Sequence, residues 1–357
     1  MAAARIGGSL PTRKGVVWGS AALTVGLLLG GCTGEPELTP FQPDPPSPTA
    51  GPTAPPTAAA AAASSSLREL QVMLELYSEE MLQEGAPAVR MQAKVGREEW
   101  SHAAGVRSRE GGIPVQLTDP VPVGGIAATL VAVSVLKLVD EGGLALDDRI
   151  TRYLPELEGL PPGPLAARQL LGHRSGLPDF YPPLPEPAPQ SDAEVLGRLV
   201  ERVRGRPLAD VVRADVTAPL GLRSTTMTGA GAVPISTVGE INTFYTALLR
   251  GELLSPAGLM EMKGSVDADY GLGLDHWNDT CTNGFYYGHS GDVPGYGTIA
   301  ISSADGNRQL AMSVAYPPSA RPERSHAIAL EMTGRAQVAL NASCRLQFRW
   351  TPARGQG

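Results

Sequence analysis

The sequence is short of several features that would assign a function at once. Aromatic residues make up 5% of its 357 positions, and the formal net charge is −7. It holds no long basic run and no aromatic platform. Nucleic-acid binding is therefore excluded, because a phosphate backbone demands clustered cations and exposed stacking faces. Five histidines are scattered along the chain, and neither an HExxH nor a CxxC pattern occurs. Zinc sites need ligands at such spacings, so no metal is expected, and nothing points to a cofactor. No Gly-x-Ser-x-Gly elbow is present, which removes the strained strand-to-helix nucleophile of the α/β-hydrolases. No internal repeat is visible. The apolar run nearest the N-terminus, Val16 to Leu29, is shorter than the roughly 18 residues that membrane spanning requires.

Arg5, Arg13 and Lys14 precede that run, and LLGGC closes it at Cys32. Charge, a short apolar core, small residues and a cysteine make a bacterial lipoprotein signal, with a membrane-spanning anchor as the alternative. On the lipoprotein reading residues 1–31 are removed and Cys32 carries a diacylglyceryl thioether. Each buried methylene contributes about 0.8 kcal/mol, so two acyl chains hold the protein on the outer face of the cytoplasmic membrane. Residues 32–66 are rich in proline, alanine and serine and have no apolar periodicity. Such a segment buries too little surface to order itself and serves as a tether reaching up to roughly 100 Å.

Residues 67–347 form the globular domain, followed by a tail at 348–357. Leu67, Leu70, Leu74, Tyr77 and Met81 recur at helical spacing. Val89, Met91, Ala93 and Val95 alternate with Arg90, Gln92 and Lys94, the pattern of a half-buried strand. A second strand runs through Trp100. The middle reads as mostly helical and proline-punctuated. FYYGHSG, YGTIAISS and QLAMSVAY return to strands, the last two joined by the turn signal ADGN, and Arg321 to Ser343 reads as a closing helix. The predicted fold class is α+β: an antiparallel sheet flanked by N- and C-terminal helices, with a mostly helical lobe inserted over 117–235. Once Cys32 is lipidated, Cys281 and Cys344 remain. Outside the membrane this leftover pair is expected to form a disulfide, with two buried free thiols as the alternative.

Five segments in order then carry a resemblance: LKLVDEGGLALDDRITRYLPEL (136–157), ARQLLGHRSGLPDF (167–180), VLGRLVERVRGRPLADVVRADVTAPLGL (195–222), STVGEINTFYTALLRGELLSP (236–256), and YGLGL with YYGHSGDVPGY (270–296). Together they resemble the serine beta-lactamase-related family, which includes D-alanyl-D-alanine carboxypeptidases and class C beta-lactamases. The resemblance implies the sheet-and-lobe fold, with a site between sheet and lobe. It also implies a helix-start serine nucleophile with a lysine three residues later, a tyrosine from a Y-x-N motif, and a strand triad, K-T-G or H-x-G, that binds a carboxylate.

Those positions are degenerate here. The S-x-x-K slot falls on Gly125-Ile126-Ala127-Ala128, so Gly125 stands for the serine and Ala128 for the lysine. The Y-x-N slot falls at Ala188-Pro189-Gln190, where only Gln190 could answer, for the asparagine. His289-Ser290-Gly291 keeps the third motif. No other register is expected to restore S-x-x-K; Lys137, nine residues after Ala128, points to the opposite side of the helix. Thr129 shares Gly125's face but is expected to bond its own backbone. Ser290 and His289 are strand neighbours and point to opposite faces. His173 reads as a loop histidine bonded to backbone, and Tyr181, Tyr287 and Tyr296 as phenols without a nucleophile to serve. Gly142-Gly143 stop the helix, whose apolar residues pack all round it. The expected function is a non-catalytic binding or scaffold lipoprotein. Its partner would be a cell-wall peptide held at His289 and Gly291, or an envelope protein. The alternative is a residual hydrolase with an unrecognised nucleophile. Gly125→Ser is expected to fold, since serine suits a helix start, and Ala128→Lys to be the riskier change.

Overall fold

The computed structural model describes residues 65–107, 112–159, 164–177, 191–227, 233–264, 269–316 and 322–345. Cys32, nearly all of the tether, Tyr181, Ala188, Gln190 and the tail lie outside the described residues.

The strands are β1 (Ala88–Val95), β2 (Glu98–Gly105), β3 (Val121–Pro122), β4 (Ile235–Ser236), β5 (Asp275–Asp279), β6 (Gly284–Val293), β7 (Tyr296–Ser303) and β8 (Arg308–Ala315). The α-helices are α1 (Ser65–Gln83), α2 (Ile126–Asp140), α3 (Ala167–Leu171), α4 (Asp192–Arg204), α5 (Leu208–Val212), α6 (Val238–Leu249), α7 (Pro256–Lys263) and α8 (Pro322–Arg345). Six strands make an antiparallel sheet in the order β2-β1-β8-β7-β6-β5, and β3 pairs with β4 alone.

Strand alternation divides the core. Val89, Met91, Ile299, Leu310 and Met312 face α1 and α8, which pack on each other over one side of the sheet. Leu67, Leu70, Leu74, Tyr77 and Met81 are each 3% exposed or less, so the helical spacing of these residues marks α1's buried stripe. The opposite side carries α6 and the helical lobe. There Leu130, Leu136, Leu170, Leu199 and Val211 join one core with Ala300 and Ala311 of the sheet. The fold is the expected one: α+β, an antiparallel sheet flanked by its terminal helices, with helices inserted between the outer strands.

Helix α2 is buried nearly all round, and its end is the expected double glycine. Gly142 adopts φ +74°, and Gly142 and Gly143 donate to the Val139 and Leu138 carbonyls at 3.0 and 2.9 Å. Helix α4 starts at Ser191, whose hydroxyl accepts from the Glu194 N–H at 3.2 Å. The expected Cys281–Cys344 disulfide is present and ties the β5–β6 turn to the end of α8, with a Cα separation of 5.7 Å.

Two local expectations are corrected. Arg90 is not on a solvent face but is 4% exposed, since lobe residues cover that side of β1. Burial lowers the pKa of its guanidinium; Nε donates to the Gln116 carbonyl at 3.3 Å, and Nη2 lies 3.8 Å from Asp119. Strand β5, with the sequence DHWND, has no apolar alternation and was not expected. Its buried residues are His276 and Asp279, on opposite faces, 3% and 1% exposed. Asp279 is held there by the Arg308 guanidinium at 2.6 and 3.1 Å.

Candidate active site

Helix α2 begins where β6 crosses it at backbone contact distance. A Cβ on Gly291 would run into the Val123 carbonyl and stand 2.8 Å from the Gly125 nitrogen. A Cβ on Gly125 would run into the Ser290 carbonyl and lie 2.9 Å from Cε1 and 3.0 Å from Nδ1 of His289. Gly124, at φ +51°, would put a Cβ 3.0 Å from the backbone of Gly291 and Asp292. The glycines are therefore the condition for this close packing. The His289 ring fills the volume into which a side chain at position 125 would extend.

His289 is fixed by both ring nitrogens. Nδ1 lies 2.6 Å from the Ser290 carbonyl, which can only accept, so Nδ1 carries the hydrogen. In the neutral ring Nε2 is then the acceptor for the Tyr270 hydroxyl, at 2.9 Å. Asp275 Oδ2 accepts the Ser290 N–H at 3.2 Å and lies 3.9 Å from His289 Nδ1. Ser290 itself pairs with Ile299, a residue of the sheet's other face, so its side chain points away from the His289 ring, as strand alternation requires. It brings its backbone to the site.

His173 stands opposite. It sits in the turn after α3 and forms a wall of the cleft. Nδ1 lies 3.2 Å from Asp192 Oδ2, and its ring is edge-on to Tyr270, centroids 4.9 Å apart. Asp192 also accepts the Ser175 hydroxyl, and Ser175 Oγ accepts the Leu177 N–H at 2.9 Å. His173 adopts φ +53°, a left-handed conformation that costs a non-glycine residue of order 1 kcal/mol. Neighbours that over-determine its position, Asp192 and Tyr270, keep it there.

Between these walls lies a cavity of about 500 Å³, lined by Gly125, Ala128, His173, Asp192, Tyr270 and His289 among others. Ala128 faces it, so the slot expected to hold a lysine opens onto the same space as Asp192. Thr129 does not line it. Thr129 Oγ1 donates to the Gly273 carbonyl at 2.8 Å, not to its own helix, and pairs with the Tyr245 hydroxyl at 2.9 Å. Burial drives the Tyr245 pKa far above its ordinary value, so this pair is a neutral structural contact.

The expectation that no other register supplies S-x-x-K needs a correction at the level of sequence. Ser134-Val135-Leu136-Lys137 has that spacing, further along the same helix. Ser134 sits about 13 Å along the axis from Gly125 at 1.5 Å per residue. It is fully buried, and neither it nor Lys137 is among the residues lining the cavity. The spacing recurs; the cleft does not use it. Tyr287 lies against His276 and Lys263, at 5.0 Å from each, and Tyr296 packs on the core; neither lines the cavity.

Sequence reasoning missed Tyr270, Asp192 and Asp275. Tyr270 sat in the quoted YGLGL segment, and Asp192 follows a helix-capping serine, the signal under which it reads as first-turn charge. Among the described residues no group of three His, Cys, Asp or Glu side chains is placed to hold a metal ion.

Comparison with known proteins bears on the family and the fold. The sequence model of the family described as Beta-lactamase matches residues 78–333. Esterase EstB of Burkholderia gladioli is 33% identical over 181 residues, covering 38% of this chain; the match spans 45% of the esterase, less than half its length. A D-stereospecific amidohydrolase from a Streptomyces species superposes with a TM-score of 0.58 at 25% identity, covering 72% of this chain and 98% of the other. The D-amino acid amidase of Ochrobactrum anthropi SV3, complexed with D-phenylalanine, reaches 0.65 at 19% identity, over 77% and 99%; that likeness is one of fold alone.

Proposed function

The chain belongs to the beta-lactamase family, and from that premise we propose that it is a ligand-binding member which has given up acylation by serine. One observation carries the reading. Acyl transfer by this family's chemistry needs a hydroxyl at the start of α2 and a base one turn on. At position 125 there is a hydrogen atom, with the His289 ring and the Ser290 carbonyl closed over it. At position 128 there is a methyl group.

What remains suits binding. A concave space of about 500 Å³ falls in the size range of small-molecule sites, and its polar groups are held in place by partners of their own. On this reading Cys32 anchors the protein to the outer face of the cytoplasmic membrane. Residues 32–66 then carry the domain toward the wall, where a cell-wall peptide or an envelope protein is the ligand. Purified protein is assayed against a chromogenic cephalosporin, a D-Ala-D-Ala peptide and a simple ester. Rates at buffer background support the reading; saturable hydrolysis of any of the three refutes it.

A second reading rests on the 2.9 Å bond between the Tyr270 hydroxyl and His289 Nε2. A phenol whose proton is accepted by an imidazole is the arrangement of an activated nucleophile, and it would make the protein a residual hydrolase. Its signature is a hydrolysis rate lost in Tyr270→Phe and kept in Ser290→Ala.

A further inference from the structure

The charges of the cleft do not match a carboxylate ligand. Its described lining residues include Asp192, Asp275 and Asp292, and no lysine or arginine. His289 spends one ring nitrogen on a backbone carbonyl and the other on a tyrosine.

The vacated lysine slot adds a shape to this charge. Ala128 opens both onto the main cavity and onto a small recess beyond it, and His173 and Asp192 border each. A lysine at 128 would bring a tethered ammonium into this space; alanine leaves it open. Asp192 is 3% exposed, and the partners described for it are one hydroxyl and one imidazole. A carboxylate offers about four lone-pair sites, so these two contacts leave it able to accept more. The rest of the wall includes Val131, Leu208, Met227, Val233 and Val293.

We propose that the cleft recognises a primary ammonium group on an apolar stem, seated beside Ala128 against Asp192 in the place a lysine side chain would take. An ammonium is compact and carries three donors, which fits a small space bordered by a carboxylate. The stem lies along the aliphatic wall. A ligand presenting a carboxylate there meets Asp192, Asp275 and Asp292 and, among the described lining residues, no lysine or arginine, which selects against it. The inference rests on the cleft being a binding site and names the chemistry of what it binds.

The test is calorimetric titration of the purified protein with three probes that share a phenylethyl stem: 2-phenylethylamine, 2-phenylethanol and 3-phenylpropionate. The amine is expected to bind about tenfold or more tightly than the alcohol, and the carboxylate most weakly, a preference in the range that desolvated charge pairs supply. Asp192→Asn should bring the amine down to the alcohol's affinity. Ala128→Lys should abolish amine binding in a protein whose circular dichroism is unchanged, because its own ammonium fills the space. Amine binding that survives Ala128→Lys, a carboxylate that binds as well as the amine, or no binding of the amine at all overturns the proposal. Unchanged selectivity in folded Asp192→Asn also overturns it, since Asp192 would then serve only the start of α4. Should a variant fail to fold, the wild-type probe series decides. A covalent adduct or turnover would defeat the non-acylating reading without touching the amine preference, so the two can fail separately.

Discussion

Gly125→Ser is the most informative single change, and its expected effect follows from contact distances. Residue 125 has φ −57° and ψ −17°, so serine suits the backbone. Gly125→Ser gains up to about 1 kcal/mol through the restricted unfolded chain. The side chain has nowhere to go. Its Cβ would lie 2.9 Å from His289 Cε1 and 3.0 Å from Nδ1, and closer still to the Ser290 carbonyl. The ring could swing aside only by giving up its bonds to Tyr270 and Ser290, and the carbonyl belongs to a strand paired on both sides. Overpacking costs about 1–3 kcal/mol, and a clash with strand backbone belongs at the upper end, so a net loss of roughly 2 kcal/mol remains after the backbone gain. Urea denaturation followed by far-UV circular dichroism measures it as a lowered midpoint at unchanged slope. Gly125→Ser in the His289→Ala background should cost less than in the wild type, because half of the clash is gone. A Gly125→Ser protein as stable as the wild type would refute the steric argument. It would restore the simpler expectation, from helix-start preference alone, that serine is welcome there.

Thr129→Val leaves the Tyr245 hydroxyl and the Gly273 carbonyl without their buried partner and should destabilise by about 1–3 kcal/mol in the same denaturation assay. Opening the Cys281–Cys344 disulfide by Cys→Ser at both positions should cost about 4 kcal/mol in the chain-entropy model for its 63-residue separation, read as a lower thermal midpoint that reductant no longer affects. Burial alone would raise the Asp279 carboxyl, but the hydrogen bonds from Arg308 and Thr282 outweigh it and hold its pKa below the ordinary value. Its stabilisation is therefore complete above about pH 4 and is lost as pH falls through the lowered folded value. Asp279→Asn should cost about 3–5 kcal/mol at pH 7 by stranding buried Arg308, and should flatten the acid limb of a stability–pH profile. Cys32→Ala should move the protein from the membrane fraction to the soluble fraction without a change in its circular dichroism; retention after a salt wash would require a second membrane contact.

The elements legible in the sequence were those whose burial is periodic. Leu67 to Met81 declared α1, and the alternation of Val89, Met91 and Ala93 declared β1. Strand β5 was silent because its buried positions, His276 and Asp279, are polar, and Asp279 is kept inside by an arginine on β8 that no local pattern links to it. At the site, Gly125, Ala128 and His289 could each be singled out from a motif. What a motif could not supply is that the His289 ring lies over Gly125, since a contact between a helix start and a distant strand is a fact of packing. Ser134 and Lys137 show the converse: a correct spacing, carried into the hydrophobic core by the same helix. His173, Asp192 and Tyr270 come from three separate segments, and only the fold brings them to one cleft.

The central claim is that the cleft no longer forms an acyl-enzyme. Intact-mass spectrometry of the wild-type protein after incubation with a penicillin and, separately, with a fluorophosphonate measures this directly. The account predicts the unmodified mass in both cases; an adduct mapped to a single residue of the cleft, Tyr270 above all, would contradict it.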